Sequence, residues 1–209
     1  MNAKKVLVLA PHTDDGELGC GGSINRLIEE GSEVYYVAFS ICTRSLPAHL
    51  APDTLAKEVK VATKILGLAD NHLILYDFDV RRFKDVRQEI LEELIKIKGD
   101  INPDLVFVPS PTDIHQDHQV ISEEGLRAFK NTSILGYELP WDNVTFNTRS
   151  FIKLEDRHVN KKIEALGAYE SQKARTYLNA NFIRSLATTR GVQINTNYAE
   201  AFEVIRWVM

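Results

Sequence analysis

Two short segments of the sequence combine histidines with carboxylates at close spacing. The first reads Pro-His-Thr-Asp-Asp-Gly-Glu over residues 11–17, and the second reads Asp-Ile-His-Gln-Asp-His over residues 113–118. Two histidines and one carboxylate are a common ligand set for catalytic zinc, and three protein ligands leave one coordination position open for water. A bound metal lowers the pKa of that water towards about 7, so that hydroxide is available at neutral pH.

The same segments contain groups suited to the other steps of a hydrolytic reaction. A carboxylate that does not bind metal can act as general base towards the water. A protonated histidine can stabilise the oxyanion that forms when a carbonyl is attacked. The adjacent residues Asp14 and Asp15 fit two separate tasks, since one can bind metal while its neighbour faces the water. Residue types alone do not say which aspartate does which.

Apolar strands alternate with helical patterns through about two-thirds of the chain. This alternation predicts an α/β fold: a Rossmann-like, doubly wound, mostly parallel sheet with helices on both faces. Ligands of such sheets bind beyond the carboxyl ends of the strands where strand order reverses, commonly between the first and fourth strands. Strands are predicted over residues 5–10, 34–39, 72–76, 104–108 and 134–139, and helices over 19–30, 52–66, 86–98 and 118–130. The two polar segments follow the first and fourth strands, so the fold should bring them together.

Each polar segment also has an ordinary structural explanation. His115 and His118 can cap a helix or lie in solvent, and Asp14 with Asp15 can form an N-terminal helix cap that the helix dipole favours. Their joint occurrence at neighbouring strand ends favours a functional site, because burying so many ionisable groups without a metal or substrate costs free energy.

The chain is predicted to form a single domain over residues 1–209. Residues 1–140 form the Rossmann-like core, and residues 141–209 form a small C-terminal extension packed on the same core. Within the extension we expect short strands near Phe146 and Phe151, a helix over residues 159–169 and a closing strand over residues 201–207. The extension should close the crevice above the polar segments.

Composition excludes several classes of protein. The 209 residues are 44% hydrophobic and 26% charged, with a net charge of −4, which argues against a disordered chain or a disulfide scaffold. No basic surface is indicated, so nucleic acid is not an expected partner. No apolar run is long enough to span a membrane. We expect a cytoplasmic protein in which Cys20 and Cys42 are reduced, buried thiols.

The glycines at positions 19, 21 and 22 invite a second interpretation, a phosphate-binding turn. Their spacing is not Gly-x-Gly-x-x-Gly, and the second strand ends in Phe39-Ser40 without an acidic residue to hold a ribose hydroxyl. Close packing of a helix on the sheet is the better explanation, and a nucleotide-binding module without catalysis is the weaker alternative.

Residues 12–22 (HTDDGELGCGG) resemble the His-Pro-Asp-Asp signature of the PIG-L/LmbE-like deacetylases. These zinc-dependent enzymes remove an acyl group, usually acetyl, from N-acylated amino sugars. Residues 115–118 (HQDH) are similar to the second motif of the family, His-Pro-Asp-His. Residues 168–172 and 198–202 also look like family segments, so the matches extend over nearly the whole chain in the expected order.

The resemblance implies a role for each residue that matches a family motif. His12, Asp15 and His118 would bind the metal, Asp14 would be the general base, and His115 would stabilise the tetrahedral intermediate. The metal would be Zn²⁺, although iron or cobalt is possible because ligand affinity rarely selects the metal in cells. The expected partner is a small N-acetylated amino sugar or glycoconjugate. Relatives often form homo-oligomers, trimers or hexamers.

The sequence departs from the family pattern at three positions. Thr13 stands where the family usually has proline, Gly16 replaces a frequent acidic residue, and Leu55 stands where many members carry an arginine that holds the sugar. Arg44 is a candidate replacement for that arginine, and Asp79 is a candidate contact for sugar hydroxyls. Each also has a simpler explanation, a solvated loop charge for Arg44 and a turn-forming residue for Asp79. A metal-dependent hydrolase of another amide, an ester or a phosphoester remains an alternative.

Overall fold

The structure is a computed structural model that describes residues 3–208. Its centre is a seven-stranded sheet with the order β3-β2-β1-β4-β5-β7-β6. The strands are β1 Lys5–His12, β2 Glu33–Ser40, β3 Leu73–Leu75, β4 Leu105–Pro109, β5 Ser133–Tyr137, β6 Ser150–Leu154 and β7 Tyr198–Arg206. The helices are α1 Asp15–Glu29, α2 Thr54–Leu66, α3 Arg87–Ile101, α4 Gln116–Ala128, α5 Asp156–Leu166 and α6 Ala180–Val192.

The first five strands run parallel, and strand order reverses between β1 and β4. Residues of β1 alternate between two apolar cores: Val6 and Val8 pack with α1, α2 and α5, whereas Leu7 and Leu9 pack with α3 and α4. A strand that is buried on both faces requires an almost continuous apolar sequence, which β1 has. The predicted α/β class, with helices on both faces of a mostly parallel sheet, is confirmed.

The C-terminal segment extends the same sheet. β7 pairs antiparallel with β5, and β6 pairs antiparallel with β7. The strand predicted near Phe146 is wrong, because residues 146–149 are irregular. There the Asn147 backbone N–H donates to the Glu203 carboxylate at 3.0 Å, where a strand would pair with backbone.

Helix α6 is absent from the sequence-based prediction. It begins after Asn179, whose side chain accepts a hydrogen bond from the Phe182 backbone N–H. Its buried residues are Ile183, Ala187 and Gly191, which are four positions apart. Because alanine and glycine are small, this helical period is hard to recognise in the sequence. The Asn cap together with that spacing was the available signal.

Helix α1 begins at Asp15, earlier than predicted, and its backbone leaves helical geometry at Cys20. Glycines next to this break allow close packing on the sheet. A Cβ at Gly19 would lie 2.3 Å from the Tyr137 ring, and one at Gly22 would lie 2.6 Å from Leu154. The predicted role of these glycines in helix packing is confirmed, and Cys20 and Cys42 are buried free thiols. Over residues 3–208, no helix combines the length and apolar character that crossing a membrane requires.

Candidate active site

The two polar segments meet beyond the carboxyl ends of β1 and β4. His12 is the last residue of β1, Asp15 is the first residue of α1, and His118 lies in the first turn of α4. Because β1 and β4 are paired neighbours, the loops that follow them share one edge of the sheet. This is the position expected for a ligand site in a doubly wound sheet.

Three side-chain atoms at this edge form a compact triangle. The Asp15 Oδ2 atom lies 3.1 Å from His12 Nδ1 and 3.2 Å from His118 Nε2. The two histidine nitrogens lie 3.4 Å apart. Ligands at about 2.0–2.2 Å from a tetrahedral metal are separated by roughly 3.3–3.5 Å. The triangle therefore fits one face of such a coordination shell, and its two nitrogens and one oxygen suit Zn²⁺.

Each of the two histidines contacts a second carboxylate through its other ring nitrogen. His12 Nε2 lies 3.1 Å from Asp117 Oδ2, and His118 Nδ1 lies 2.8 Å from Asp113 Oδ2. Metal-binding histidines commonly have such partners, which orient the ring and select its tautomer. Sequence reasoning assigned no role to Asp113 or Asp117, although both lie within the second polar segment.

The electrostatics of the triangle reflect opposite charges held out of water. Burial works against a charged His12, yet Asp15 and Asp117 raise its pKa to about 9. The pKa of His118 is also raised: burial opposes this shift, and Asp15 and Asp113 outweigh it. Burial alone would raise the pKa of Asp15, but His118 and His12 hold it well below the usual range. Asp15 is therefore an anion facing two imidazoles.

His115 lies beside the triangle and differs from its neighbours in protonation. One ring nitrogen lies within 4.8 Å of ligand atoms of both His12 and His118. Its Nδ1 accepts a hydrogen bond from the Asp117 backbone N–H at 3.2 Å, so that nitrogen carries no proton. Burial, followed by the neighbouring histidines, lowers the pKa of His115 to about 4. With Nδ1 as acceptor, the neutral ring can donate a hydrogen bond through Nε2–H, and the role of His115 at the oxyanion stays a prediction.

Asp14 occupies the N-cap position of α1, but its side chain makes no capping hydrogen bond. The carboxylate instead lines the cavity above the triangle. Burial and the adjacent Asp15 raise the pKa of Asp14 to about 6. A carboxylate that is free of structural partners and has a raised pKa can exchange protons near neutral pH.

A buried pair of tyrosines holds the backbone between His12 and Asp14. The hydroxyls of Tyr36 and Tyr169 lie 2.9 Å and 2.7 Å from the Thr13 carbonyl oxygen. Both hydroxyls also contact the buried carboxyl group of Glu17, whose pKa burial raises to about 8. One tyrosine comes from β2 and the other from the C-terminal segment, so distant parts of the chain fix the same peptide.

The site has the features of a known family. A family model described as PIG-L, GlcNAc-PI de-N-acetylase, matches residues 7–129. The chain belongs to the PIG-L family. The uncharacterized deacetylase YaiS of Escherichia coli K12 is 30% identical over 172 residues, covering 80% of this chain and 91% of that protein. The diacetylchitobiose deacetylase of Thermococcus kodakarensis is 27% identical over 184 residues, covering 85% of this chain and 64% of that protein.

Solved structures confirm the PIG-L fold. The N,N′-diacetylchitobiose deacetylase of Pyrococcus horikoshii has a TM-score of 0.77 and 24% identity, with coverage of 98% of this chain and 84% of that chain. The 4-carboxy-2-hydroxymuconate hydratase GalB of Pseudomonas putida KT2440 has a TM-score of 0.78 and 20% identity, with coverage of 99% and 98%. The second enzyme catalyses a different reaction, so the fold alone does not identify the chemistry. Family and sequence relatives assign this PIG-L chain to the deacetylases.

A cavity of about 580 Å³ opens above the triangle. The C-terminal segment lines one part of it with Trp141, Asp142, Gln172 and Tyr177, among others. The Trp141 and Tyr177 rings stack at a centroid distance of 4.1 Å. The C-terminal third of this PIG-L chain therefore contributes part of the cavity lining.

The departures from the PIG-L pattern change the lining of this cavity. Leu55 lines it as an apolar side chain, and Thr13 contributes a buried hydroxyl without a hydrogen-bond partner among residues 3–208.

The two predicted substrate contacts form an ion pair with each other: Arg44 Nη1 lies 2.8 Å from Asp79 Oδ2, and the Arg44 side chain is 73% exposed. Neither belongs to the lining, although their neighbours Ser45 and Val80 do. Their contact with substrate stays a prediction.

Proposed function

We propose that this protein is a metal-dependent N-deacetylase that hydrolyses the N-acetyl group of an amino sugar or its conjugate. The observation that carries the proposal is the triangle of His12 Nδ1, Asp15 Oδ2 and His118 Nε2, with edges of 3.1–3.4 Å, below the free carboxylate of Asp14. Family membership supports the deacetylase class, and the triangle supports a metal.

The residues of the triangle would hold a divalent cation, with zinc as the first candidate and iron or cobalt as alternatives. Such a cation would polarise the amide carbonyl and lower the pKa of a bound water. The outer carboxylates Asp113 and Asp117 keep both imidazoles oriented with the required nitrogen towards the triangle.

The proton path in the proposal uses Asp14 and His115. A carboxylate oxygen of Asp14 takes a proton from the attacking water and later gives it to the departing amine nitrogen. His115 donates from Nε2–H to the oxyanion that forms at the carbonyl. Water is consumed, the C–N bond breaks, and the products are a free amine and acetate.

The proposed substrate is an N-acetylglucosamine derivative. The family description and the name of the Thermococcus relative both specify N-acetylated sugars. The cavity is large enough for a sugar with an attached group, since typical ligand pockets measure about 300–1,000 Å³. Leu55 removes one sugar contact of the family, so other side chains must supply specificity.

Acetate release with purified, metal-analysed protein tests the proposal. N-acetylglucosamine conjugates should release acetate, and a chelator should abolish the release. We expect His12→Ala to lose metal and activity together. Asp14→Asn should retain metal while kcat falls by about 10²–10⁴-fold, because the base is lost. Normal turnover by His12→Ala at full metal content would reject the metal assignment, and full activity of Asp14→Asn would reject Asp14 as base.

Two alternatives give different results in the same assay. A hydrolase of another amide, an ester or a phosphoester would bind metal but release no acetate from these sugars. A nucleotide-binding module would contain no tightly bound metal. The cytoplasmic location and the trimeric or hexameric assembly stay predictions, and size measurement of the purified protein tests the latter.

A further inference from the structure

Arg81 lies in a sharp turn between β3 and α3, and it lines the cavity. Its φ is +67°, in the left-handed region that residues other than glycine seldom adopt. The Arg81 backbone N–H donates to Asp117 Oδ2 at 2.6 Å, and the same oxygen lies 3.1 Å from His12 Nε2. The turn is therefore tied directly to the candidate metal site, and it places Arg81 in the lining of the cavity.

The neighbouring residue Arg82 differs from Arg81 in both its position and its ion pairing. Arg82 Nε forms an ion pair with Asp85 Oδ2 at 3.0 Å, and Arg82 does not line the cavity. Arg81 has no carboxylate oxygen within 4.0 Å over residues 3–208. Two adjacent residues of the same type thus differ in position and in pairing, which makes them a matched pair for experiment.

Arg175 lines the same cavity from the C-terminal segment. Its Nε lies 3.3 Å from Gln172 Oε1, and in the described part of the chain no carboxylate oxygen approaches its guanidinium within 4.0 Å. Glu58 anchors this segment by accepting hydrogen bonds from the Ser171 backbone N–H at 2.9 Å and from its hydroxyl at 2.6 Å. Two unrelated segments therefore present unpaired arginines to one cavity.

We propose that Arg81 and Arg175 form a subsite for a negatively charged group, a carboxylate or a phosphate, carried by the amino-sugar substrate. A guanidinium has five N–H donors and no acceptor, and its planar fork matches either oxyanion with two parallel hydrogen bonds. The acidic residues of the cavity lining are Asp14, Asp15 and Asp142, and among residues 3–208 none of them lies within 4.0 Å of either guanidinium. The inference rests on the proposed deacetylase activity and specifies its substrate class.

The test compares three N-acetylglucosamine compounds that differ in charge. The methyl glycoside is neutral, the 1-phosphate carries a phosphate, and the malate conjugate carries carboxylates. Amine release by the metal-loaded, full-length protein gives kcat and KM for each. We expect kcat/KM to be at least about tenfold higher for one of the two anionic compounds. Which compound is preferred distinguishes carboxylate from phosphate.

Variants identify the residues responsible. Arg81→Gln and Arg175→Gln should each raise KM for the preferred anionic compound about tenfold and leave the neutral glycoside unchanged. Arg81→Lys should recover part of the loss, and Arg82→Gln should behave as wild type. Metal content is measured for every variant, because an unchanged value shows that the turn held by Asp117 is intact. High salt should weaken only the anionic reaction.

The outcomes separate this inference from the proposed function. Equal rates for the neutral and anionic compounds, or variants that impair all three equally, would overturn the anion subsite while deacetylation stands. If wild-type protein releases amine from none of the three, the proposed function fails and the subsite fails with it.

Discussion

The histidines of the triangle use both of their ring nitrogens. His12 faces Asp15 on one side and Asp117 on the other, and His118 is placed in the same way between Asp15 and Asp113. A ring held on both sides has one orientation and one tautomer available for metal binding. We therefore expect the outer carboxylates to affect metal binding although they are not in the proposed ligand set.

Replacing Asp117 by Asn tests whether an outer carboxylate supports metal binding by His12. The amide keeps an oxygen for the Arg81 backbone N–H but removes the charge that supports His12. We expect metal affinity to fall about 10–100-fold, measured by competition with a chelator. Asp85→Asn is the control, because it removes an exposed carboxylate paired with Arg82. Equal metal affinity in the two variants would contradict the prediction.

Most of the residues of the candidate site were predictable from the sequence. Residue types and spacing, with the family resemblance, selected His12, Asp14, Asp15, His115 and His118, and the structure brings these side chains together around one cavity. The tautomer of His115 was not predictable, because it depends on a hydrogen bond from the Asp117 backbone N–H to Nδ1. Such a contact follows from how α4 begins and not from residue type.

At the scale of elements, the loop between β1 and α1 is the part that most needs rigidity. It carries the proposed base, and its Thr13 carbonyl is held by tyrosines from β2 and from the C-terminal segment. Small displacements of a catalytic group lower rates strongly. The tyrosines should therefore position Asp14 without touching substrate.

Tyr169→Phe removes one hydroxyl from the Thr13 carbonyl and leaves the ring in place. We expect kcat to fall about tenfold with little change in KM, since positioning of the base is lost while binding is kept. Stability should fall by about 1 kcal/mol. Tyr76→Phe serves as the control, because its hydroxyl contacts Glu93. An unchanged kcat in Tyr169→Phe, or an equal decrease in the control, would show that the tyrosine has no positioning role.

On the scale of the whole molecule, one buried ion pair joins three distant elements. Glu200 of β7 accepts hydrogen bonds from the Gly22 and Ser23 backbone N–H groups at 3.1 Å and 2.7 Å. Lys162 of α5 lies 2.6 Å from the same carboxylate. These N–H groups lie directly after the break in α1 at Cys20, and Glu200 supplies an acceptor for both of them. The C-terminal segment thereby stabilises the helix that carries Asp15.

Glu200→Ala should destabilise the protein by about 3–5 kcal/mol, because it leaves Lys162 as an uncompensated buried charge. Chemical denaturation measures the free energy of unfolding. Glu164→Ala is the matched control: its partner Lys161 is also on α5, at 2.8 Å, but that pair is exposed. The control should lose at most about 1 kcal/mol. Similar losses in both variants would mean that the buried pair contributes no more than a surface pair.

The sequence by itself determined the α/β class, the parallel order of the first strands and the five residues that converge on one cavity. The fold class follows from periodicity and from the rule that loops after parallel strands share one sheet edge, and the five residues follow from motif spacing together with the family resemblance. Only the tertiary structure decided which carboxylates support the histidines and that Arg44 pairs with Asp79. It also decided that Arg81 and Arg175 line the cavity without a carboxylate partner among residues 3–208. These features depend on contacts between residues far apart in the chain, whose distances and pairing no local pattern contains.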